Sequence, residues 1–536
     1  MVSPSFKPMR QLVVLLASAV ACCGLAIAQS TDARSSRWHQ RQGVAYLDQH
    51  NLARALDEFR SAVRLNPRDA ASRDYLGVAL AESGQTNQAV VEFQKSIDLS
   101  DSFAPPHFHL GLAYDRMGRS SDAIAEYEAT LFREPGLLDA RYALSAACWK
   151  RGDRAGAITL LRQVLRQHPP FAAEVHYNLG LELREQGELD EALRELKTAV
   201  EIEPHSPKFQ AALGQALAER ETPGAAVEAL GKAVALAPNT AEYRYDLAEA
   251  LRLRGDFDAT QSEFQTTLKL DPRYPRAHRQ LGVVLRQRGD YKAAVAQLEQ
   301  AVTDDPQDAE ARYALGSALL KLNDPERAIA QLSQAARLDP YDSGSRIALA
   351  GALRKVGRTQ EAQEQMKRAQ TIDELKANAG RSRVLLGSAA DHLKKGEVDA
   401  ALDELHQAVS LSPDYADAHL ELARASMRKG APPAEVIKIL RRVIDLKPDE
   451  AQGHLELGLL LERTGAAEAA GELKRSLELA PSLIEAHRAL GKMALAARDW
   501  ATARSEFSAI LAWDWNDRDA RAELSIAQPR QNHRSN

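Results

Sequence analysis

The chain has 536 residues, more than one compact core usually serves. Aromatic residues make up only 5% of it, which argues against a large β-rich domain, because strands favour Tyr, Phe and Trp. Its formal net charge of −5 gives it no global attraction for nucleic acid or for an anionic membrane surface.

The first element in chain order has the features of an export signal. Lys7 and Arg10 precede an apolar, uncharged run over residues 12–28, which ends in a small-residue cleavage pattern, Ala-Ile-Ala. This order predicts a secretory signal peptide over residues 1–28. The run is shorter than the roughly 20 residues that span a membrane. Two alternatives remain open: an uncleaved anchor, and a lipoprotein acylated at Cys22.

Cleavage after residue 28 would change the balance of the mature chain. It would remove Lys7 and Arg10 and no acidic residue, so the net charge would fall from −5 to −7. It would also leave Cys148 as the last cysteine, so the fold cannot depend on an internal disulfide. No second apolar run approaches the length of a membrane span. We therefore expect no membrane insertion of the mature chain.

The rest of the sequence is periodic. Prolines recur every 34 residues, and each ends a helix because the residue before a proline is pushed out of the α region. The clearest series is Pro204, Pro238, Pro272, Pro306 and Pro340, with Pro135 and Pro169 before it and Pro413, Pro448 and Pro481 after a break.

Small residues recur in phase with these prolines. A Gly such as Gly77 lies about 24 residues before the proline slot, and an Ala such as Ala89 lies about 12 before it. These positions let two helices cross closely, and short turns such as Gly255-Asp256 join them, with Gly in the left-handed conformation and Asp as the cap. One turn after the Ala, a large residue is predicted to fill the wedge between the helices, as at Phe59, Phe93, Tyr127, Phe264 and Phe507.

This pattern resembles the tetratricopeptide-repeat family from about Ser36 to about Gln528. The resemblance implies an all-α, right-handed superhelical solenoid of about 14 helix-turn-helix repeats with a concave groove. Departures are few, such as Ser145 in a Gly slot and Val436 in an Ala slot. The repeats begin near residues 36, 70, 104, 138, 173, 207, 241, 275, 309, 343, 382, 416, 451 and 484, and positions are numbered from these starts.

The predicted domain organisation follows from that count. A linker (29–35) leads into about ten repeats over 36–376, and about four more follow over 382–515. Between them the expected proline is replaced by Glu374, and residues 377–381 are predicted to form an irregular junction or hinge, with a longer second helix as the alternative. A capping helix is predicted over 516–528, with Ala520, Leu524 and Ile526 facing the last repeat, and a disordered tail over 529–536.

Chemical motifs are mostly absent from the sequence. It has no Gly-rich phosphate loop, no His-Glu-x-x-His, no zinc-ribbon cysteines and no Gly-x-Ser-x-Gly. We therefore predict that the chain is not an enzyme and that it has no cofactor and no metal site.

Two classes of function remain. The first is a non-enzymatic scaffold that binds peptide or protein partners in the concave groove, outside the cytoplasm in a periplasmic or secreted location. The second is a component of an exopolysaccharide or cell-envelope export machine, or of a glycosyltransfer machine. Sugar-transferring members of the family often carry an asparagine ladder at position 6 of each repeat. Only Asn178 matches that ladder here, which weakens the second class.

Groove residues can be predicted because positions 2, 5, 9, 12 and 13 share one face of the first helix. The resemblance places that face on the concave side. Aromatic residues at position 5 predict a strip that grips apolar or extended segments. The alternative is that each ring only packs between helices. The strip consists of Phe108, Tyr142, Tyr177, Tyr245 and Tyr313.

Basic residues dominate the same positions from about residue 249 onward, with Glu249, Glu310 and Asp417 as the few opposing acids. We predict that this half binds an acidic peptide, a C-terminal carboxylate or an anionic polymer. The alternative is that these cations are solvated or paired with acids on the next helix. The family's peptide-carboxylate clamp is not implied, because its asparagines are lacking. The predicted residues are Arg252, Arg276, Arg279, Arg286, Lys321, Arg354, Lys355, Arg383, Lys394, Arg424 and Arg428.

Overall fold

The computed structural model describes residues 31–274 and 276–527. Within these ranges the chain forms 28 α-helices and no β-strand, which confirms the all-α fold class predicted from the sequence. The predicted signal peptide (1–28) and the predicted tail (529–536) lie outside the described residues.

Most of the helices are about as long as half of a 34-residue repeat allows. They are α1 (Thr31–Asp48), α2 (Leu52–Leu65), α3 (Ala70–Glu82), α4 (Thr86–Leu99), α5 (Ala104–Arg116), α6 (Ser120–Arg133), α7 (Leu138–Arg151), α8 (Arg154–Leu165), α9 (Ala172–Glu185), α10 (Leu189–Ile202), α11 (Pro207–Glu219), α12 (Pro223–Leu236), α13 (Ala241–Arg254), α14 (Phe257–Leu270), α15 (Ala277–Gln287), α16 (Tyr291–Asp304), α17 (Ala309–Lys321), α18 (Pro325–Leu338), α19 (Ser343–Lys355), α20 (Thr359–Lys395), α21 (Val398–Leu411), α22 (Ala416–Lys429), α23 (Pro433–Leu446), α24 (Ala451–Thr464), α25 (Ala469–Leu479), α26 (Ile484–Ala496), α27 (Trp500–Trp513) and α28 (Arg518–Ile526). Up to α19, odd-numbered helices are the first helices of repeats and even-numbered helices are the second.

The two helices of a repeat meet at the predicted glycine. A β-carbon at Gly77 of α3 would come within 2.5 Å of the Phe93 ring of α4. The ring fills the wedge and keeps no exposed surface. The same burial holds for the other predicted wedge residues, so their role is confirmed: Phe59, Tyr127, Phe264 and Phe507 are each 0% exposed.

The turns between paired helices follow the predicted chemistry. Gly255 has a φ of 84°, in the left-handed region that glycine adopts without strain, and it ends α13. The next residue, Asp256, accepts a hydrogen bond at 3.2 Å from the backbone N–H of Ala259 and caps α14. Sequence-local rules therefore account for the helix boundaries at this turn.

Residues 377–381 are helical, which corrects the predicted irregular junction. They lie inside α20, a continuous helix of 37 residues that serves as the second helix of one repeat and the first of the next. The physical reason is that no proline interrupts this stretch and that its Ala, Leu, Lys and Glu residues favour helix. Gly380 does not break the helix, because it has no positive φ.

The predicted ends also differ in detail. Residues 31–35, expected as part of a linker, belong to α1. The predicted capping helix lies at α28, where Ala520 is buried and Leu524 packs partly against the core of the last repeat. Ile526, predicted to face that repeat, is 62% exposed instead, and the next residue, Ala527, is buried in that core.

The described residues group into two compact units that do not divide at the predicted junction. Residues 31–178 together with 431–527 form one, which we name the terminal unit. Residues 179–430 form the other, the central unit, and α20 lies within it. The terminal unit therefore contains repeats from both ends of the chain.

Within the described residues, no helix combines the length and the apolar character that a membrane crossing requires.

Candidate functional site

A recurring polar clasp accounts for much of the charge on the first helices. Arg244, at position 4 of its repeat, donates to Glu263 on the second helix at 2.9 Å and to the carbonyl oxygen of Pro238 at 2.8 Å. It thus ties together both helices and the preceding loop. The pairing across the repeat recurs with nearly the same sequence separation at Arg73–Glu92, His107–Glu126, His278–Gln297, Arg312–Gln331, Arg346–Gln365, His454–Glu472 and His487–Glu506.

We did not predict this clasp, although the sequence carries its signal. Position 4 holds His, Arg or Gln in nearly every repeat, and an acid or amide follows about 19 residues later. Each clasp satisfies buried or half-buried polar groups, which would be costly to leave without partners. These side chains therefore hold the two helices of a repeat together and are not free to bind a ligand.

The aromatic strip is only partly available to a partner. Phe108 is 1% exposed and packs on the Tyr127 ring with 6.0 Å between centroids, so its predicted contact with a partner is corrected to a core role. The Tyr127 ring that Phe108 contacts is itself packed against Gly111, and both rings lie in the core of the terminal unit. The other four rings remain half-buried.

Two of the remaining rings, Tyr142 and Tyr245, are partly buried by packing against other rings and partly exposed. The Tyr142 hydroxyl bonds to Asn178, and its ring lies 5.5 Å from Phe171. Burial raises the pKa of Tyr142 above its usual range. Tyr245 packs on Phe264 at 5.5 Å and on Tyr274 at 5.1 Å. Their binding role stays a prediction, since each ring also stabilises its own repeat.

Tyr313 and Tyr177 complete the predicted strip. Tyr313 is half-buried against the core of the central unit. Tyr177 is half-buried in the terminal unit, as is Tyr142. The strip is therefore divided between the two units.

Several of the predicted basic residues already have acidic partners. Arg279 pairs with Asp308 at 3.0 Å and with Glu310 at 2.6 Å, both on or beside the next first helix. Local acids also neutralise Arg252 (Glu249, 2.8 Å), Lys394 (Asp391, 3.1 Å) and Arg424 (Glu421, 2.5 Å). For these four residues, the alternative of internal pairing describes the structure.

Arg276 lies in an acidic setting. It lines a cavity of about 810 Å³ together with Arg279. The carboxylates that line the same cavity are Asp304, Asp305, Asp308, Glu310 and Asp339. Because acids outnumber bases around it, Arg276 does not create a positive surface there.

Four basic residues at the carboxyl ends of three first helices make no ion pair with any described acid. They are Arg286 of α15, Lys321 of α17, and Arg354 and Lys355 of α19, and we name them the basic cluster. Lys321, Arg354 and Lys355 are exposed, and Arg286 is half-buried. Arg383 and Arg428 are exposed elsewhere in the central unit.

The register of the repeats brings the members of the basic cluster together. The first helices pack in sequence, α15 against α17 and α17 against α19. Lys355 Nζ donates to the carbonyl oxygen of Leu320 at 3.4 Å, which places it beside Lys321 at the end of α17. Arg286 of α15 and Lys321 of α17 are separated by 35 residues in the sequence, and so are Leu320 of α17 and Lys355 of α19.

A polar row crosses the earlier first helices of the central unit. Arg184 of α9 donates to Gln215 of α11 at 2.8 Å, and Gln215 donates to Asp246 of α13 at 2.7 Å. Burial raises the pKa of Asp246 to about 6 despite the hydrogen bond from Gln215. Only Asp246 of this row stands at position 6 of its repeat, and the three side chains are bonded to one another.

The terminal unit has a contact between distant repeats that we did not predict. Trp513 of α27 is 4% exposed, lies in one core with Leu131 and Leu160, and donates its indole N–H to Glu128 at 2.8 Å. Ser482 donates from both its backbone N–H and its hydroxyl to Asp153, each at 2.9 Å. These bonds join residues more than 300 positions apart in the chain.

A metal centre has no counterpart in the ranges that the structure covers: no three of the described His, Cys, Asp and Glu side chains group closely enough to hold a metal ion.

Comparison with known proteins places the chain in a family. Tetratricopeptide-repeat profiles match residues 41–102, 108–156, 142–207, 183–245, 254–297, 280–343 and 386–451, well over half of the sequence. The chain therefore belongs to the tetratricopeptide-repeat family, whose members generally serve as scaffolds for protein partners. No curated protein sequence matches it.

Comparison with solved structures finds matches with low TM-scores. MamA from Desulfovibrio magneticus is 27% identical over 31% of this chain and 94% of its own, with a TM-score of 0.30. A tetratricopeptide-repeat protein of Thermus thermophilus is 26% identical over 34% and 99%, with a TM-score of 0.29. The Cut9–Hcn1 hetero-tetramer structure is 16% identical over 84% and 95%, with a TM-score of 0.34. At such TM-scores these likenesses carry no functional argument.

Proposed function

We propose that the chain is a non-enzymatic scaffold that binds an acidic peptide or protein segment on the first-helix face of its central unit, outside the cytoplasm. The observation that carries the proposal is the basic cluster, four cations on three consecutive first helices that pair with no acid among the described residues. Elsewhere on these helices, cations such as Arg279 are neutralised within the chain.

An acidic partner suits this surface for two reasons. Arg can bind a carboxylate through two parallel hydrogen bonds, which adds geometric selectivity. Like charges held close together focus the local potential, so an anionic segment gains attraction from several of them at once. Arg286 supports the idea further, because its buried Nε has no acceptor among the described residues.

The test measures affinity for a labelled glutamate–alanine copolymer by fluorescence anisotropy while sodium chloride is raised. The variant Lys321→Glu/Arg354→Glu/Lys355→Glu reverses three exposed members of the basic cluster. We expect it to bind about tenfold more weakly than wild type or worse, since each exposed pair contributes up to about 1 kcal/mol.

A matched control reverses the same number of exposed cations on second helices of the same unit, in Lys292→Glu/Arg337→Glu/Lys367→Glu. It should retain affinity close to that of wild type. Equal losses in both variants would show only a response to net charge, and affinity that ignores salt and the cluster variant would refute the proposal.

Export is a separate part of the proposal and rests on the pattern in residues 1–28. The test expresses the full chain in a bacterial host, fractionates the cells and determines the mass of the mature protein. We expect a chain that begins at Gln29 in the periplasmic or secreted fraction. A full-length chain in the cytoplasm would contradict export, and an acylated Cys22 would establish the lipoprotein alternative.

A further inference from the structure

The basic cluster has a spacing as well as a charge. Its members lie on three first helices that pack side by side, α15, α17 and α19. Packed helices lie about 8–10 Å apart. A peptide in the polyproline II conformation advances about 3.1 Å per residue with about three residues per turn, so every third side chain points the same way and about three residues cover the step from one first helix to the next.

The same helices present apolar surface next to the cations. Ile347 of α19, at position 5, is 47% exposed, and it lies seven residues before Arg354, which puts both on one face two turns apart. Tyr313 holds the same position on α17 and is half-buried. Leu320, half-buried, directly precedes Lys321 on α17, and its carbonyl oxygen accepts from Lys355 of α19. The surface therefore alternates charged and apolar patches.

We propose that the central unit recognises a peptide in the polyproline II conformation whose acidic residues recur at every third position, with aliphatic residues between them. This inference rests on the proposed function and specifies its partner. One carboxylate meets Arg286 on α15, the next meets Lys321 on α17, and the third meets Arg354 and Lys355 on α19. The intervening side chains lie over Ile347 and its apolar neighbours.

The apolar component favours a peptide over an acidic polysaccharide. A polysaccharide of uronic acids offers carboxylates, but it has no aliphatic side chains to cover an exposed Ile. Burying such a side chain contributes free energy roughly in proportion to the area removed from water. An acidic polysaccharide is therefore an outcome of the test rather than part of the proposal.

The experiment compares two peptides of identical composition on the mature chain by anisotropy or calorimetry. In the spaced peptide, three aspartates are separated by pairs of alanine and leucine, and in the contiguous peptide the three aspartates are adjacent. We expect the spaced peptide to bind at least about fivefold more tightly, because it can satisfy more cations at once. The preference should vanish in Lys321→Glu/Arg354→Glu/Lys355→Glu and persist in Lys292→Glu/Arg337→Glu/Lys367→Glu.

Each other outcome has a distinct meaning. If both peptides bind equally and the cluster variant loses both, the spacing is wrong and the proposed function stands. If the cluster variant changes neither affinity, the proposed function fails along with the spacing. If oligogalacturonate binds more tightly than either peptide, the peptide class is overturned. Ile347→Ala adds a check that leaves charge unchanged, since it should weaken the spaced peptide and leave the thermal midpoint close to wild type.

Discussion

The two compact units differ in where some of their polar side chains find partners. In the terminal unit, side chains of distant repeats bond to one another: Glu128 accepts from the indole N–H of Trp513, and Asp153 accepts from Ser482. In the central unit, the carboxyl ends of α15, α17 and α19 keep cations that no described acid neutralises.

The difference shows where to look for function in a repeat protein. Framework residues recur in every repeat and identify the fold, so they cannot distinguish a binding surface from a structural one. What distinguishes the surfaces is whether the variable polar residues already have partners. By that measure, the carboxyl ends of α15, α17 and α19 are the surface that we propose for a partner.

The largest effect should come from breaking the long-range contact of the terminal unit. Trp513→Ala removes a buried ring from a core it shares with Leu131 and Leu160 and leaves the half-buried Glu128 without its donor. We expect a loss of about 3–5 kcal/mol in the free energy of unfolding. The measurement is urea unfolding followed by circular dichroism, with hydrogen exchange to locate the opened helices.

Trp515 provides a control two residues away. It is 49% exposed, and its change to Ala removes the same ring from a surface position. Trp515→Ala should stay within about 0.5 kcal/mol of wild type, as most surface substitutions do. In Trp513→Ala, faster exchange should appear in α6 and α27 while α15 to α19 of the central unit keep their protection. Equal losses for the two tryptophans would show that the contact contributes nothing specific.

The sequence predicted the repeat framework because its determinants are local. Gly77 must lie under Phe93, and Asp256 must cap α14, wherever the repeat occurs. The clasp at position 4 is equally local, but each His or Arg considered alone resembles an ordinary surface residue. The contact between Trp513 and Glu128 has no such signal, because 385 residues separate them and neighbouring repeats carry similar surfaces.

The candidate site was predictable only in part for the same reason. The sequence located the cations of the first helices, but pairing depends on which residue of the next repeat faces them. Arg279 meets Asp308 and Glu310, whereas Arg354 meets no described acid, and the two are alike as sequence letters. Phe108 was misassigned because depth within the helix pair, rather than helical face, decides its exposure.

A smaller effect should appear as pH dependence in the terminal unit. Burial alone would lower the pKa of His487, but the hydrogen bond with Glu506 and the charges of Glu128 and Glu506 outweigh it and raise that pKa. Burial raises the pKa of Glu128, and the nearby His487 and the Trp513 hydrogen bond oppose that rise only in part. Both groups therefore bind protons more tightly when the unit is folded.

The sign follows from that common direction. Stability from His487 is fully present below its unfolded pKa, about 6.5, and is lost as pH rises through its raised folded pKa. Glu128 contributes stability in the same sense. Its contribution is fully present below the ordinary pKa of a glutamate, about 4.3, and is lost as the pH rises through its raised folded pKa. Urea midpoints between about pH 6 and 8 should fall as pH rises. His487→Gln should flatten that slope, and a slope that stays unchanged in this variant would assign it to other groups.

The smallest predicted effect concerns residues 377–381, where the structure has a continuous helix and the sequence analysis predicted a hinge. Gly380 lies within α20 with negative φ, and a β-carbon built on it would meet nothing within 4 Å. Glycine in a helix interior costs about 0.5–1 kcal/mol relative to alanine, because it loses more backbone freedom on folding. Gly380→Ala should therefore stabilise the central unit by about that amount and slow hydrogen exchange at residues 377–381.

Gly396, which ends the same helix with a φ of 82°, makes the matched control, since Ala is strained in the left-handed region and Gly396→Ala should destabilise. If residues 377–381 instead open as a hinge in solution, limited proteolysis of wild type would cut preferentially there, and Gly380→Ala would leave both the cutting and the unfolding midpoint unchanged.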